Sequence, residues 1–418
     1  MAGRVRLAAT GIQDQWLTGE PQFSYFVMNY KKHTRFATES VEIPFSGEKK
    51  FGGHAELRIP NNVGDLVRSM MLKMTLDPLP ESSDPLISNL YNTSLTSNII
   101  EYVDLRIGGQ TIERITGDYI YMYNQLHNNA DDLEQTLYFL GGHNNHLNVS
   151  TSYNTFYLNL PFYFFRHSSL AIPVCAITKQ LIEVYVKFKD ANDNVSFKYT
   201  KSGSDVTRRA TSDAGIRDIS LITDFFFISE DERNFLKTRP MEYGITQLQM
   251  STLSFKPNES RKAGMLNFKH PVKELFFIAK EKYAPEQVVT LKNVTHTDES
   301  LSSLYTAKRS DHRKIKRVVL KCNGEIVIDR DGLFLSYQES LNKYTSCPDP
   351  AYIFYMHSFA LKPEEYYPTG QVNMSRISHK KIDIELDETS STNRIDVDIY
   401  AVNYNILHIE SGLAGLKF

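Results

Sequence analysis

The sequence predicts an all-β protein: two tandem eight-stranded antiparallel β-sandwiches, with short helices confined to the loops. Three observations predict it. Short runs of alternating apolar and polar residues, separated by turn residues, recur along all 418 positions, as expected of half-buried strands. Aromatic content is high, 24 Tyr and 24 Phe against one Trp, and aromatic side chains suit a pleated surface buried on one side. Finally, one strand–turn–helix unit occurs twice, half a chain apart.

The repeat is VDLRIGGQTIERITGDYIYMYNQL (Val103 to Leu126) and VVLKCNGEIVIDRDGLFLSYQESL (Val318 to Leu341), at a constant offset of 215 residues. Val103 falls on Val318, Leu105 on Leu320, Gly109 on Gly324, Gly117 on Gly332 and Tyr119 on Phe334. Each copy alternates up to a two-residue turn, Gly108-Gly109 or Asn323-Gly324. Such hairpin turns need positive φ at both residues, which costs Gly and Asn least. A second echo, HSSLAIP (His167 to Pro173) against HSFALKP (His357 to Pro363), follows at an offset of 190. The two echoes keep their order, and the drop of 25 residues makes the connector after the first hairpin helix the longer one. Two copies of one domain are expected.

Taken in order, residues 1–24 form a polar arm with Arg4 and Arg6 near its start, and residues 25–228 the first sandwich. Its strands are Ser40–Pro44, Ala55–Ile59, Leu66–Leu76, the two arms of the first hairpin, Phe156–Tyr163, Leu181–Lys189 and Asp218–Ile228. A loop rich in Pro, Ser and Asn spans Asp77–Ser97, and the hairpin helix covers Asp118–His127. Ser229 and Glu232 have capping-box spacing and Pro240 ends the helix they start, which makes residues 229–240 a linker. Residues 241–418 form the second sandwich: Thr246–Ser254, Met265–His270, Val272–Ala279, Ile315–Cys322, Glu325–Asp329, Tyr352–His357, Lys381–Leu386 and Arg394–Leu407. Eight short strands per half read as a sandwich or barrel.

Charge is balanced, 47 Lys plus Arg against 49 Asp plus Glu, so no direct nucleic-acid binding is expected. The separated Cys175, Cys322 and Cys347 make no disulfide framework. The start of the chain carries no signal-peptide pattern and no stretch reads as transmembrane, which points to an intracellular product. No phosphate-binding, dinucleotide, zinc-protease or nucleophile-elbow motif occurs. His143 and His146 lack a closed four-ligand set and read as a solvated loop. So does the basic run of Lys308, Arg309, Arg313, Lys314, Lys316 and Arg317, which has no interleaved aromatic platform. No enzyme activity, metal or cofactor is expected.

Six Asn-x-Ser/Thr sequons occur. With the strands of each half lettered B to I, Asn92, Asn148, Asn194, Asn258 and Asn293 fall in loops at one end of the sandwiches, and Asn373 at the other. That end is expected to be the exposed one, with these five as candidate glycosylation positions.

Longer stretches carry a family likeness: GIQDQWLTGEPQFSYF (Gly11 to Phe26), YKKHTRFATES (Tyr30 to Ser40), LPFYFFRHSSLAIPVCAI (Leu160 to Ile177), DERNFL (Asp231 to Leu236) and HPVKELFFIAK (His270 to Lys280). FALKPEEYYPTGQVNMSRI (Phe359 to Ile377) and YNILHIESGLAGLKF (Tyr404 to Phe418) are the strongest. Together they resemble the major capsid proteins of the large nucleocytoplasmic DNA viruses, the group of the iridoviruses and phycodnaviruses. One departure is Pro368-Thr369-Gly370, where Pro-Ser-Gly is usual. The resemblance implies two tandem jelly rolls (a double jelly roll) and a homotrimeric, pseudo-hexagonal capsomer tiling an icosahedral virion shell. It implies minor capsid proteins and an internal membrane beneath the arm, with Arg4 and Arg6 as candidate inner-face contacts, and assembly in the host cytoplasm. A minor or vertex capsid protein of the same fold is the nearer alternative; a carbohydrate-binding β-sandwich, which needs an exposed aromatic platform, is the alternative from another class.

Overall fold

The computed structural model describes residues 2–28, 31–81, 87–91, 95–128, 154–201, 204–211, 215–282, 289–290, 312–348 and 353–418. Residues 1–36 and 37–418 are separate compact units. The smaller holds two helices, Ala2–Ala8 and Gln15–Thr18, neither with a buried residue. The Asp14 carboxylate accepts from the Gly11 amide at 2.7 Å just before the second.

In the first half the strands are β1 (Phe36–Pro44), β2 (Ser46–Gly47), β3 (His54–Ile59), β4 (Leu66–Leu76), β5 (Ile87–Tyr91), β6 (Ile100–Ile107), β7 (Gln110–Thr116), β8 (Asn154–Asn159), β9 (Ile182–Phe188), β10 (Val195–Lys201), β11 (Ser204–Thr211) and β12 (Ile216–Ile228). Two sheets make the sandwich, in the orders β1-β12-β4-β8 and β2-β3-β9-β6-β7. In the second half, β13 (Met241–Phe255), β14 (Arg261–Met265), β15 (Pro271–Lys282), β17 (Ile315–Cys322), β18 (Glu325–Asp331), β19 (Tyr355–Ser358), β21 (Lys380–Leu386) and β22 (Arg394–Glu410) give the sheets β13-β22-β15-β19 and β14-β21-β17-β18. In the lettering B to I, both halves read BIDG facing CHEF, which is the jelly-roll order. Short β16 (Val289–Thr290), β20 (Val372–Asn373) and β23 (Leu413–Leu416) complete the set.

Fifteen of the sixteen expected core strands lie where expected, the sixteenth lies just before its expected place, and their edges differ for physical reasons. The strand expected over Phe156–Tyr163 stops at Asn159, and Tyr163–Phe165 is a 3-10 turn; Pro161 cannot donate to a ladder. The strand expected over Met265–His270 is Arg261–Met265. Leu266 and Phe268 alternate like a strand because both reach the core, but only Arg261–Met265 pairs with β21. The loops after the fourth and ninth strands are not plain loops. β5, β10 and β11 build a further sheet, closed by a parallel pair between β11 and β16.

Both hairpins have the turn the sequence calls for, with φ of 59° and 81° at Gly108 and Gly109 and 51° and 95° at Asn323 and Gly324. The helix after the first hairpin, Gly117–His127, is capped by Thr116, whose side chain accepts from the Tyr119 amide at 3.2 Å. In the second copy Asp331 accepts from the Phe334 amide at 2.8 Å, and a π turn (Phe334–Gln338) leads into the helix Glu339–Lys343. The linker helix, Glu230–Thr238, starts on the expected capping box: Ser229 Oγ accepts from the Glu232 amide at 3.4 Å. Arg233 fastens it to the sandwich with two bonds to the Asp65 carboxylate, at 2.7 and 2.8 Å.

Two apolar cores result. One is the interior of the second sandwich, around Phe277, Leu320 and Ile399. The other fills the first sandwich and runs on to take in Ile245, Phe276, Ile278, Met356, Tyr400 and Val402 from the second half.

Candidate assembly surfaces

The continuity of that larger core locates an interface inside the chain. Along β15, Leu275, Phe277 and Ala279 face the second sandwich, whereas Phe276 and Ile278 face the first half. Side chains of a strand point alternately to opposite faces, so the outward face of the β13-β22-β15-β19 sheet is covered, with Phe276 and Ile278 as an apolar centre and Glu274 and Lys280 in the same row of β15. It lies on β7 and the helix Gly117–His127. Gln247 Nε2 donates to the Ile112 carbonyl at 2.5 Å, Thr345 Oγ1 donates to the Leu126 carbonyl at 3.2 Å, and the Tyr119 and Phe276 rings meet edge to face, centroids 6.2 Å apart.

Charge crosses the same interface. Asp118, in the first turn of the helix, pairs with Lys280 of β15 and lies 3.6 Å from Lys189 of the first half; Tyr400 Oη donates to it at 3.4 Å. Burial opposes its charge, but Lys189 and Lys280 outweigh burial and hold the carboxyl far below the usual carboxylate range. Nearby, Lys273 and Glu274 are paired at 3.0 Å, Tyr344 Oη donates to Glu274 at 2.5 Å, and Lys273 Nζ donates to the Pro363 carbonyl at 2.8 Å. Burial, with Arg166 nearby, brings the Lys273 pKa down to about 8. Glu113 of β7 accepts from the Tyr163 amide at 2.8 Å, and burial pushes its carboxyl up to about 8. Tyr366, in the Pro-rich Pro363–Pro368 segment, stacks on His167 of the first half with centroids 4.2 Å apart. The segment is closed by Thr369, whose Oγ1 donates to the Lys362 carbonyl at 2.8 Å.

The equivalent outward face of the first half, β1-β12-β4-β8, carries a different surface. Lys73 Nζ reaches Glu42 at 2.9 Å, Ser220 Oγ donates to Glu42 at 2.6 Å, Ser40 donates to Asp224 at 2.5 Å, and Lys49 pairs with Asp218 at 2.8 Å. Half-buried Met71 and Ile222 sit side by side within these polar rows. The other outward sheet has its own cluster. Asp104 is fully buried although it faces out, covered by Arg106 at 2.8 Å and Arg114 at 2.6 Å, whose guanidinium groups lie over Tyr185 and Tyr102. Guanidinium on an aromatic face is favourable and rigid.

The residues singled out in the sequence are not brought together. Arg4 and Arg6 are exposed on the helix Ala2–Ala8. Asn194 corrects its expectation as a glycan position: it is wholly buried, Nδ2 donating to the Asp190 carbonyl at 2.9 Å and Oδ1 accepting from Asn98 at 3.3 Å, so no glycan fits there. Asn258 is exposed, in a turn with φ of 63°. Asn92, Asn148 and Asn293 lie outside the described residues, as do His143, His146, Lys308 and Arg309. The rest of the basic run is not one solvated loop: Arg313 is buried against Glu281, while Lys316 pairs with Glu385 and Arg317 with Asp329 across the sheet. Among the described residues no cluster suits a metal ion, and no helix is long and apolar enough to cross a membrane.

Sequence reasoning missed Asp118, Lys280, Lys273 and Glu274. A signal was present. Within PVKELFFIAK, Leu275 to Ala279 runs apolar without alternation where β4 alternates, which marks a strand covered on both faces.

The comparisons with known proteins agree with this architecture. The family model described as major capsid protein N-terminus matches residues 24–229, and that described as large eukaryotic DNA virus major capsid protein matches residues 232–415. A major capsid protein of Pyramimonas orientalis virus is 29% identical over 432 residues, covering 100% of this chain and 99% of that one. That of Paramecium bursaria Chlorella virus 1 is 27% identical over 454 residues, covering 100% of both. Among solved structures, the PBCV-1 virus capsid quasi-atomic model superposes with a TM-score of 0.73 at 22% identity, covering 94% of this chain and 100% of that one. The Faustovirus major capsid protein superposes with 0.68 at 13% identity, covering 96% and 94%. With both halves matched in order and the double jelly roll in place, the chain belongs to the major capsid proteins of large eukaryotic DNA viruses.

Proposed function

We propose that the chain is the repeating wall unit of an icosahedral virion shell, assembling as a homotrimer whose two sandwiches per chain give a pseudo-hexagonal capsomer. The observation that carries this is the duplication itself: the same BIDG–CHEF sandwich occurs twice in one chain. Three such chains around a three-fold axis present six similar walls, and a near-hexagonal block tiles a flat facet without six identical subunits. Lateral contacts with neighbouring capsomers then form the shell. Solution mass tests the trimer, and a chain that stays monomeric at every concentration tells against it.

The arm, residues 1–24, is the segment assigned to the inner side, towards minor capsid proteins and an internal membrane, with Arg4 and Arg6 as its charged contacts; assembly is assigned to the host cytoplasm. Six large apolar residues of this region, Trp16 and Phe23 among them, are exposed, which suits a segment completed by a partner. Deleting residues 1–24 is expected to leave trimers intact and to impair shell assembly; unaltered shells overturn the assignment. Of the sequons, Asn258 keeps the geometry for a glycan, and an intact mass equal to the bare 48.0 kDa chain removes that role.

A further inference from the structure

On the outward face of the β2-β3-β9-β6-β7 sheet, one carboxylate holds two guanidinium groups. Tyr102, Asp104 and Arg106 alternate along β6 and so share that face. Asp104 has Arg114 of β7 directly across from it on one side and Tyr185 of β9 on the other. Arg114 makes a two-bond fork, Nε donating to Oδ1 at 2.6 Å and Nη2 to Oδ2 at 2.8 Å. Arg106 adds a third bond, Nη2 donating to Oδ2 at 2.8 Å.

A fork alone satisfies such a carboxylate, as the second copy shows. At the offset of 215, Tyr102 falls on Arg317 and Arg114 on Asp329. There Arg317 Nε and Nη2 each donate at 2.7 Å to the Asp329 carboxylate, one guanidinium to one carboxylate. Arg106 is therefore extra. A guanidinium has five N–H groups, of which Arg106 commits one and Arg114 two. The others have no protein partner among the described residues, and the two side chains are 32% and 49% exposed. Both are braced: Arg106 lies 4.6 Å over the Tyr185 ring and Arg114 4.0 Å over the Tyr102 ring. The two rings stack with centroids 6.1 Å apart, and His54 stacks on Tyr185 at 5.4 Å. Nearby acids leave the free N–H groups open. Glu183, across from Arg106, pairs with Arg58 at 3.0 Å, and the exposed Glu56 and Glu101 bond to neither arginine.

We propose that Arg106 and Arg114 form a binding site for a tetrahedral oxyanion, a phosphate or sulfate group, on the outward wall of the first sandwich. Guanidinium N–H groups match the oxygens of such anions in paired, charge-assisted bonds. Two guanidiniums fixed on adjacent strands donate from two directions, which a tetrahedral group meets better than a flat carboxylate. Asp104 and the tyrosine rings hold both side chains before any ligand arrives, so little freedom is lost on binding. The rings stack on one another and carry the guanidiniums, so the surface offers N–H edges and not the open aromatic face that a neutral sugar needs. The site is complete within one chain. Its anion is either a free ion or a group carried on a polymer, and the recognising chemistry is the same for both.

The test titrates the full chain with inorganic phosphate and with sulfate in a calorimeter, at constant ionic strength so that general screening does not change. The wild type is expected to bind one ion per chain. Arg106→Lys and Arg114→Lys keep the charge but lose the fork. Each is expected to weaken binding about tenfold, the loss of one charge-assisted hydrogen bond. Arg106→Gln leaves the fork of Arg114 on Asp104 intact, so it reads the site even where Arg114→Lys fails to fold. Arg317→Lys, in the second copy, is expected to leave binding unchanged. A heparin oligosaccharide then separates the two sources. Heparin that displaces phosphate and binds more tightly assigns the site to a polymer-borne group, and heparin that leaves phosphate in place assigns it to a free ion. A wild type that binds neither ion overturns the site. So does binding that survives every substitution of Arg106 and Arg114, or that falls equally in Arg317→Lys.

Discussion

Gly332 lies directly against the carbonyl oxygen of Ile315, with no room for a Cβ between them. At the same offset of 215, Gly117 lies against the carbonyl of Ile100 and also that of Ser97. In both copies the helix after the hairpin starts by crossing the first residue of the strand that entered it. The repeated Gly is thus a close-approach residue and not a positive-φ one, and the repeat holds at the level of backbone contact.

Gly332→Ala forces that crossing apart. Overpacking of this kind costs about 1–3 kcal/mol, and the expected outcome is a thermal midpoint lowered by several degrees with the mass of the assembly unchanged. Differential scanning calorimetry checks it; an unshifted midpoint means the second copy tolerates a different helix entry.

Asp118 joins Lys280 of one half to Lys189 of the other. Asp118→Ala leaves two lysines near an apolar interface without their partner, and breaking a buried pair costs about 3–5 kcal/mol. A carboxyl held below its ordinary value stabilises the fold at pH above the ordinary carboxylate range, about 4. That contribution fades as pH falls through and below this range. The wild type is therefore expected to keep its advantage over Asp118→Ala down to about pH 4 and to lose it progressively below that, as read from urea midpoints at pH 7, pH 4 and pH 2.

Glu113 behaves oppositely. Its carboxyl titrates at about 8 in the folded chain, raised from 4.5 by burial. The neutral form stabilises fully below the ordinary value, and the contribution is lost as pH rises from there to about 8. Glu113→Gln keeps an oxygen for the Tyr163 amide and has no proton to lose. The variant is expected to gain on the wild type by at most about 1.4 kcal/mol per pH unit in that window, measured by midpoints from pH 5 to 9. A constant difference between the two would place the charge of Glu113 elsewhere.

The elements that were legible in the sequence are those set by local pattern. Alternation and Gly-Gly or Asn-Gly turns placed the core strands, and the spacing of Ser229 and Glu232 placed the linker helix. What escaped depended on partners far away in the chain. β5, β10 and β11 are strands only because they pair with one another. Asn194 reads as an exposed sequon, yet it folds into a buried turn with Asn98, 96 residues away. The buried charges were hidden for the same reason: Asp118 looks like an ordinary first-turn acid until Lys280, 162 residues later, closes on it. The capsid likeness lay in linear motifs and could be read directly, whereas the interface inside the chain needed the fold.

The most direct test of the account is the mass and outline of the purified chain near neutral pH, by light scattering and electron microscopy of the same sample. The duplicated sandwich predicts particles of three times 48.0 kDa with a near-hexagonal outline. A monodisperse species at 48.0 kDa across the accessible concentration range would contradict it.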